Sequence, residues 1–256
     1  LLMTLRAMMT LCAIGSLAAC SLVAQAQTVP PTGAAPFPLD WSVHGPEERN
    51  INFSGLPIQR GRSEIFYEQH IGKFPRIWID HETGRQSAEN EGIPQKTNWP
   101  AHLAKVRRDV EARIPDQNWD GTAILDFETW HPNWEMAWNQ PMKEMSREWV
   151  RARFPTLNSQ QVEARAHEEF EAAGMDFVLR TLAACKQIRP RATWGFYGHP
   201  YAFYTPNLHQ EMRPLYNAVD AFFPPVYAVN YSVAETQSPG PGQRRVSDYT
   251  TRVDRQ

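Results

Sequence analysis

Residues 123–132 have the sequence Ala-Ile-Leu-Asp-Phe-Glu-Thr-Trp-His-Pro. The first part is short and apolar, an Asp-Gly pair introduces it and a proline stops it, which predicts a buried β-strand over residues 122–128. Because side chains alternate between the two faces of a strand, Asp126 and Glu128 should point the same way. The sequence therefore predicts two neighbouring carboxylates at the carboxyl end of a hydrophobic strand.

A carboxylate pair in this position favours acid–base chemistry. Burial of one face and mutual repulsion should separate the two pKa values and leave one carboxyl protonated near neutral pH. Cleavage of a glycosidic bond uses such a proton donor beside an ionised partner, and Trp130 would offer an apolar face to a sugar ring. The motif also fits a metal site or a solvated strand end, and by itself it leaves these alternatives open.

The composition favours one globular domain behind an amino-terminal leader. The chain has 256 residues, of which 42% are hydrophobic, and this is enough to bury a core. The formal net charge of −2 gives no sign of nucleic-acid binding, so an acidic substrate would have to be held by local arginines. Two of the three cysteines lie in the leader, which leaves Cys185 without an intrachain disulfide partner. We expect a monomer.

Residues 1–26 are predicted to be a leader, because a short basic start precedes an apolar run that is too short to span a bilayer. Leu-Ala-Ala-Cys at 17–20 resembles the lipobox of bacterial lipoproteins and would make Cys20 a lipid anchor. Ala-Gln-Ala at 24–26 instead fits ordinary signal peptidase. Both alternatives predict export, as a secreted, periplasmic or membrane-anchored protein. Residues 27–38 form a Pro/Ala-rich linker.

Strand and helix patterns alternate along residues 39–232. This order predicts a parallel sheet with helical crossovers, and active residues at strand ends favour an α/β, TIM-like (β/α) barrel. About five strands are predicted where a closed barrel has about eight, so we expect an incomplete barrel. No element is predicted for residues 60–69, and residues 233–256 should be an irregular tail. The predicted strands cover 39–43, 74–80, 122–128, 192–197 and 219–227, and the predicted helices cover 98–113, 141–154, 159–188 and 208–217.

Local signals refine this pattern. Asn98 is suited to cap the first predicted helix, and Asn158 with Gln161 has the spacing of a capping box. Gly174 is either a close-packing point or a break within the longest helix. The polar turn over residues 80–84 contains acidic and imidazole groups, but adjacent groups in such a turn are more often solvated than metal-bound. We therefore predict no metal site.

Several segments resemble the hyaluronidases of animals and insect venoms, glycoside hydrolase family 56. In that family the strand carries Asp-Phe-Glu or Asp-Trp-Glu followed by x-Trp-x-Pro, which resembles residues 126–132. The resemblance runs in collinear order over about residues 40–232, and its order and spacing are specific. The other similar pieces are Gly92-Ile93-Pro94-Gln95, Ala101-His102-Leu103, Ile114-Pro115, Trp138, Phe170-Glu171-x-x-Gly174, Arg189-Pro190, Trp194 to Tyr201 and Phe223 to Tyr227.

The resemblance implies an endo-acting hydrolase of N-acetylhexosamine-containing glycosaminoglycans that needs no metal or cofactor. It also implies substrate-assisted chemistry, in which the acetamide oxygen of the sugar attacks the anomeric carbon. Glu128 then corresponds to the general acid and base, and Asp126 to the carboxylate that holds the acetamide N–H. Tyr197 and Tyr227 correspond to tyrosines of the same subsite; without the resemblance they would be taken as core aromatics at strand ends.

The chain departs from the family pattern at three places. His131 stands where the family usually has an arginine suited to a substrate carboxylate, and a largely neutral imidazole would weaken the grip on a uronic acid. Ala202 replaces a family cysteine. The family also has further strands after the one that ends at Tyr227, so we expect a truncated, bacterial-type homologue. The alternatives are a non-catalytic carbohydrate-binding envelope lipoprotein and an envelope lipoprotein that contacts no sugar.

Overall fold

The computed structural model of the protein describes residues 39–42, 52–80, 82–136, 140–200 and 205–225. The predicted leader, linker and tail lie outside these residues, as do Trp138, Ala202 and Tyr227. The elements in chain order are β1 (Leu39–Trp41), β2 (Ile58–Arg60), β3 (Ser63–Tyr67), β4 (Arg76–Ile79), β5 (Gln86–Glu89), a 3-10 turn (Pro94–Lys96), α1 (Trp99–Arg113), β6 (Thr122–Asp126), α2 (Gln140–Arg153), α3 (Ser159–Ile188), β7 (Thr193–Phe196), α4 (Pro206–Glu211) and α5 (Arg213–Ala218).

The central sheet is parallel and has the strand order β3–β6–β7. β6 lies in the middle, and the register places Tyr67 of β3 beside Asp126. A further parallel bridge joins Tyr197, directly after β7, to Phe223. β1 and β2 form a second parallel pair. The carboxyl ends of β3, β6 and β7 therefore lie along one edge, as the predicted parallel arrangement with helical crossovers requires.

β3 falls within residues 60–69, for which no element is predicted. The strand is only five residues long, and Ser63 and Glu64 interrupt its apolar character. Contacts distant in sequence compensate: Ser63 is buried, the Glu64 carboxylate pairs with Arg113 of α1, and Phe66 has no exposed surface. Tertiary packing therefore fixes this strand, and its carboxyl end forms one wall of the site described below.

The strand predicted over residues 74–80 is present as β4, but the expectation that it joins the parallel sheet is wrong. β4 pairs with β5 in antiparallel register, and the two strands form a hairpin of their own. The Asp80 carboxylate accepts hydrogen bonds from the backbone N–H groups of Glu82 and Thr83, each at 2.9 Å. Gly84 adopts a φ of +68°, which an L side chain disfavours. These features reverse the chain, so Asp80 acts as a turn cap.

The predicted helix starts at α1 and α3 are confirmed. The Asn98 side chain accepts a hydrogen bond from the Ala101 N–H at 3.1 Å. At α3, the side chains of Asn158 and Gln161 each accept from the other's backbone N–H, at 2.9 and 3.0 Å. These bonds satisfy backbone donors that have no partner inside the helix. The local sequence thus fixes where both helices begin.

Gly174 is a close-packing point within α3, which continues without a break. A Cβ added at this position would lie 3.2 Å from atoms of both Trp130 and Pro132. The buried stripe of α3 includes Phe170 and Phe177, and Cys185 is a fully buried free thiol. α3 therefore holds the segment after β6 by direct contact. Within the described residues, no helix combines the length and apolar character needed to cross a bilayer.

The region after β7 differs from the prediction in two ways. The helix predicted over residues 208–217 is divided at Met212, because Pro214 lies in the first turn of α5, where it can begin a helix but cannot continue one. Within the described residues, the strand predicted over residues 219–227 contributes the single bridge residue Phe223. Residues 226 and 227 lie outside the described part of the chain.

Candidate active site

A cavity of about 340 Å³ opens at the carboxyl ends of β3 and β6. Parallel-strand enzymes place their reactive groups at this edge of the sheet. Three of the six lining residues carry carboxylates, which gives the cavity an acidic character. The lining residues are Tyr67, Glu68, Gln69, Asp126, Glu128 and Thr129.

The prediction that Asp126 and Glu128 share one side is confirmed. Both line the cavity, whereas Phe127 between them is buried in the core. The two carboxylates differ in environment, because Asp126 is half-buried at the end of β6 and Glu128 is exposed. This asymmetry is what separates the roles of paired carboxylates in an acid–base site.

Asp126 is held in an unfavourable environment for a charge. Its Oδ1 atom is buried, and no described residue provides a hydrogen-bond partner for it. Burial, followed by the nearby carboxylates of Glu128 and Glu68, raises the pKa of Asp126 to about 6. A buried acceptor without a partner is costly in folding and awaits a donor from a ligand.

Glu68 is a residue of the site that is not predicted from the sequence. Its Oε2 accepts hydrogen bonds from the backbone N–H groups of Glu128 at 3.0 Å and Thr129 at 3.1 Å. The Thr129 hydroxyl donates to Oε1, and Arg76 pairs with the same atom at 3.6 Å. The run Ile-Phe-Tyr at residues 65–67, which consists of strand-favouring residue types, is the signal that could have placed Glu68 at a strand end.

The interpretation of Trp130 as an exposed sugar platform is wrong. Only 2% of Trp130 is exposed, and its indole N–H donates to the Pro75 carbonyl at 2.7 Å. Its ring stacks on Phe74 and packs edge-on against Phe170, with centroid distances of 5.1 and 5.8 Å. The expectation assumed a strand period beyond β6, but the strand ends at Asp126 and the chain turns the indole into the core.

Replacing Trp130 by Ala is expected to lower the free energy of unfolding by about 3–5 kcal/mol, because it leaves a large cavity between α3 and the hairpin segment. Urea denaturation followed by circular dichroism measures this. Trp78→Ala is the matched control, since 51% of Trp78 is exposed, and it should cost much less. Equal destabilisation by the two variants would contradict the core position of Trp130.

His131 is also buried, with 6% of its surface exposed, so the substrate-binding role assigned to it lacks an accessible surface. Its ring lies 5.4 Å from that of His199, which is buried as well. Burial lowers the pKa of His131 to about 4, so the imidazole is neutral at pH 7, as expected from the sequence. The structure therefore provides no cation at this position for a substrate carboxylate.

Tyr197 lies at the carboxyl end of β7, next to the strand that carries Asp126. Its backbone N–H donates to the Leu125 carbonyl at 2.9 Å, and its side chain is half-buried. The lining of the 340 Å³ cavity does not include it. Tyr227, the other predicted tyrosine, lies outside the described residues.

One group of three metal-ligating side chains is close enough to share an ion in the described part of the chain. It comprises Glu135, His167 and Glu171, whose ligand atoms lie within 4.8 Å of one another. Glu171 already accepts the Trp134 N–H at 2.9 Å and pairs with His167 at 3.0 Å. Lys143 lies 5.2 Å from the Trp134 ring, which places a competing cation close by. We interpret this group as a structural ion-pair network.

A parallel α/β sheet edge with functional side chains at the carboxyl ends of its strands is the arrangement of a (β/α)-barrel protein. The chain belongs to the hyaluronidase family, because the sequence model of that family matches residues 53–227. This match confirms the family resemblance proposed from the motifs around Asp126 and Glu128.

Curated relatives cover part of the same region. The hyaluronidase of Apis mellifera is 36% identical over 171 residues, which are 61% of this chain and 44% of the bee protein. The hyaluronidase of Polistes annularis is 32% identical over 194 residues, 70% and 52% of the two chains. A chondroitin hydrolase of Caenorhabditis elegans is 35% identical over 138 residues, 53% and 30% of the two chains. The chain spans about half the length or less of these curated relatives.

Solved structures agree with the sequence relatives. Bee venom hyaluronidase in complex with a hyaluronic acid tetramer has a TM-score of 0.69 and 28% identity, covering 86% of this chain and 76% of that one. A monoclinic crystal form of bee venom hyaluronidase has a TM-score of 0.62 and 29% identity, covering 75% and 67%. The predicted α/β, TIM-like (β/α) barrel class is confirmed.

Proposed function

We propose that the protein is an endo-acting glycoside hydrolase of hyaluronan- or chondroitin-like glycosaminoglycans that cleaves N-acetylhexosaminidic bonds with retention of configuration. One observation carries this proposal: Asp126 and Glu128 line the same cavity, and Asp126 presents a buried acceptor without a partner among the described residues. The substrate class is proposed from the relatives, which include a hyaluronidase crystallised with a hyaluronic acid tetramer and a chondroitin hydrolase.

In the proposed first step, the acetamide oxygen of the substrate attacks its own anomeric carbon and the glycosidic C–O bond breaks. Glu128 donates its proton to the leaving oxygen, so no enzyme carboxylate becomes glycosylated. Asp126 Oδ1 accepts the acetamide N–H and stabilises the positive charge of the cyclic intermediate. Water then opens this intermediate, its proton passes to Glu128, and two inversions at the anomeric carbon give retention.

The tyrosines are proposed as supporting residues. Tyr197 follows the strand next to β6, from which its hydroxyl would help to orient the acetamide, and Tyr227 is proposed for the same subsite by family resemblance. Trp130 and His131 are not assigned a contact with the substrate, because both side chains are buried. We propose no metal or cofactor and no nucleic-acid partner.

The pH profile should identify Asp126. The proposed role needs an ionised Asp126, and the pKa of this residue is raised to about 6. We therefore expect kcat/KM to fall as the pH drops through about 6, because the pH dependence of kcat/KM reports groups of the free enzyme. The release of reducing ends from hyaluronan and chondroitin, measured at intervals of about 0.5 pH unit between about pH 4 and about pH 8, tests this pH dependence. An acid limb near the ordinary aspartate pKa would contradict the assignment.

The same assay tests the function itself. Release of new reducing ends together with an early fall in polymer size is the result expected for an endo-acting hydrolase. Calorimetric binding of the polymer without any product would instead support the non-catalytic carbohydrate-binding alternative. Absence of both product and binding would contradict both proposals.

We also propose that the protein is exported, because residues 1–26 have the composition of a processed leader. Lipidation at Cys20 would make it a membrane-anchored lipoprotein, and cleavage after Ala26 would release it. The mass of the mature amino-terminal peptide from producing cells separates these two forms. A peptide that retains the leader would contradict export by either route.

A further inference from the structure

A third carboxylate, Glu68, meets the Asp126 segment from the neighbouring strand. It directly follows β3, which pairs with β6 up to the Tyr67–Asp126 position. Beyond that point the parallel ladder stops, and the backbone N–H groups of Glu128 and Thr129 need other acceptors. The Glu68 carboxylate supplies them, at 3.0 and 3.1 Å.

Both carboxylate oxygens of Glu68 accept hydrogen bonds from this segment. Oε2 accepts the two backbone N–H groups, and Oε1 accepts the Thr129 hydroxyl. Bonds from N–H and O–H groups to an ionised carboxylate are about twice as strong as neutral ones. A carboxylate saturated in this way is poorly placed to donate or accept a proton during a reaction, so its role differs from that of Glu128.

A second set of contacts ties Glu68 to the β4–β5 hairpin. Arg76 approaches Glu68 Oε1 at 3.6 Å, and both side chains are largely buried, with 11% and 13% exposed. The same guanidinium donates to Glu89 at 2.6 Å and lies 4.2 Å from the centre of the Trp78 ring. The hairpin therefore holds Arg76, and the Arg76 guanidinium adds a contact of opposite charge to the Glu68 carboxylate.

We propose that Glu68 is a positioning residue that clamps the backbone at Glu128 and Thr129 and thereby aims the Glu128 carboxyl into the cavity, with Arg76 holding the clamp. This inference rests on the proposed function. Glu128 stands just beyond the last residue of β6, so the sheet itself does not fix its direction. A shift of about 1 Å in a reacting group can cost about 10²-fold in rate.

In addition to burial, the negative charge that Glu68 carries raises the pKa of Asp126. The charged groups facing Asp126 are Glu128 from its own segment and Glu68 from the end of β3, and both oppose its ionisation. Arg76, from the hairpin, faces Glu68 at 3.6 Å. Removing the Glu68 charge while keeping its shape should therefore lower the pKa of Asp126 and move the acid limb of kcat/KM to lower pH.

The test compares Glu68→Ala, which removes clamp and charge, with Glu68→Gln, which keeps a carbonyl acceptor and removes the charge. Glu68→Ala is expected to lower kcat by about 10–100-fold with KM changed by less than about threefold. Glu68→Gln should retain most of kcat and shift the acid limb downward. Glu64→Ala is the matched control: Glu64 is on the same strand, 16% exposed, and paired with Arg113 away from the cavity.

A measurement that does not require catalytic turnover distinguishes failure of this inference from failure of the proposed function. Amide hydrogen exchange at Glu128 and Thr129 should become about tenfold faster or more in Glu68→Ala and stay unchanged in Glu64→Ala. If the wild-type protein releases no product, the proposed function fails while exchange still tests the clamp. Unchanged exchange in a folded Glu68→Ala would overturn the inference. If Glu68→Ala does not fold, Arg76→Ala replaces it, and unchanged exchange at Glu128 and Thr129 in that variant would overturn the inference, because Arg76 is proposed to hold Glu68 in place.

Discussion

Replacing Glu128 by Gln is expected to lower kcat for glycosaminoglycan hydrolysis by about 10²–10⁴-fold, the usual contribution of a general acid and base. Gln has nearly the same shape but cannot donate a proton to the leaving oxygen. Because Glu128 is exposed, the melting temperature should stay at the wild-type value. Reducing-end release from hyaluronan and chondroitin, with thermal unfolding measured in parallel, gives both quantities.

The loss should depend on the leaving group. An aryl glycoside whose leaving oxygen needs no proton should lose less activity in Glu128→Gln than the polymer does, because only the protonation step is impaired. Glu111→Gln makes the same chemical change in an exposed pair with Arg107 on α1, and it should leave kcat unchanged. Wild-type turnover of the polymer by Glu128→Gln would remove Glu128 from the mechanism.

The carboxylate pair could be predicted from the sequence because it depends on one rule, the alternation of side chains between the two faces of a strand. The alternation of side chains brings Asp126 and Glu128 to the same cavity, as predicted, although β6 ends at Asp126 and Glu128 lies two residues beyond it. The rule fails at Trp130, because the strand ends at Asp126 and the next turn directs the indole into the core. A strand end is set by pairing with β3 and β7, and local sequence does not contain this information.

The contact between Glu68 and the Glu128 backbone could not be predicted, for a different reason. Glu68 lies 60 residues before Glu128 in the chain and reaches it only because β3 and β6 are adjacent. β3 itself is specified by partners distant in sequence, such as Arg113 for Glu64, so its local pattern is weak. In contrast, the starts of α1 and α3 were predictable, since Asn98 and Asn158 bond to residues within three positions.

For His131, the family resemblance and the burial of the side chain lead to different expectations about contact with a substrate. The family position suggests contact with a substrate carboxylate, but the depth of a side chain depends on the elements packed over it. His131 lies against His199, from the turn after β7, and burial keeps it neutral. A prediction from sequence could state the imidazole's weak charge, but it could not state that the ring is inaccessible.

Replacing Asp126 by Asn is expected to lower kcat by about 10²–10³-fold, comparable to the loss of one preorganised electrostatic group. Asn still offers an oxygen to the acetamide N–H, but it brings no negative charge to the cationic intermediate. The acid limb near pH 6 should also disappear, because the group that titrates there is gone. Near-wild-type kcat in a folded Asp126→Asn would contradict the role assigned to this carboxylate.

The same variant should be more stable than wild type at neutral pH. The pKa of Asp126 is raised from 3.8 to about 6 in the folded protein, so the folded state holds this proton more tightly than the unfolded chain. Stability of the wild type therefore falls as the pH rises from about 4 to about 6. Asn carries no such proton, and the gain in melting temperature should be present above about pH 6 and vanish below about pH 4.

Asp120→Asn, at the other end of β6, is a control in which the change in stability at neutral pH should have the opposite sign. Asp120 accepts a hydrogen bond from Arg62 at 2.7 Å, and this bond lowers its pKa. Its ionised form is favoured in the folded state, so Asp120→Asn should lose stability at neutral pH and keep activity. Stabilisation of Asp126→Asn that is equal at pH 4 and pH 7 would show that packing, and not the buried charge, is responsible. A carboxylate that costs stability and yet supports turnover is the pattern expected of a functional group held in a strained environment.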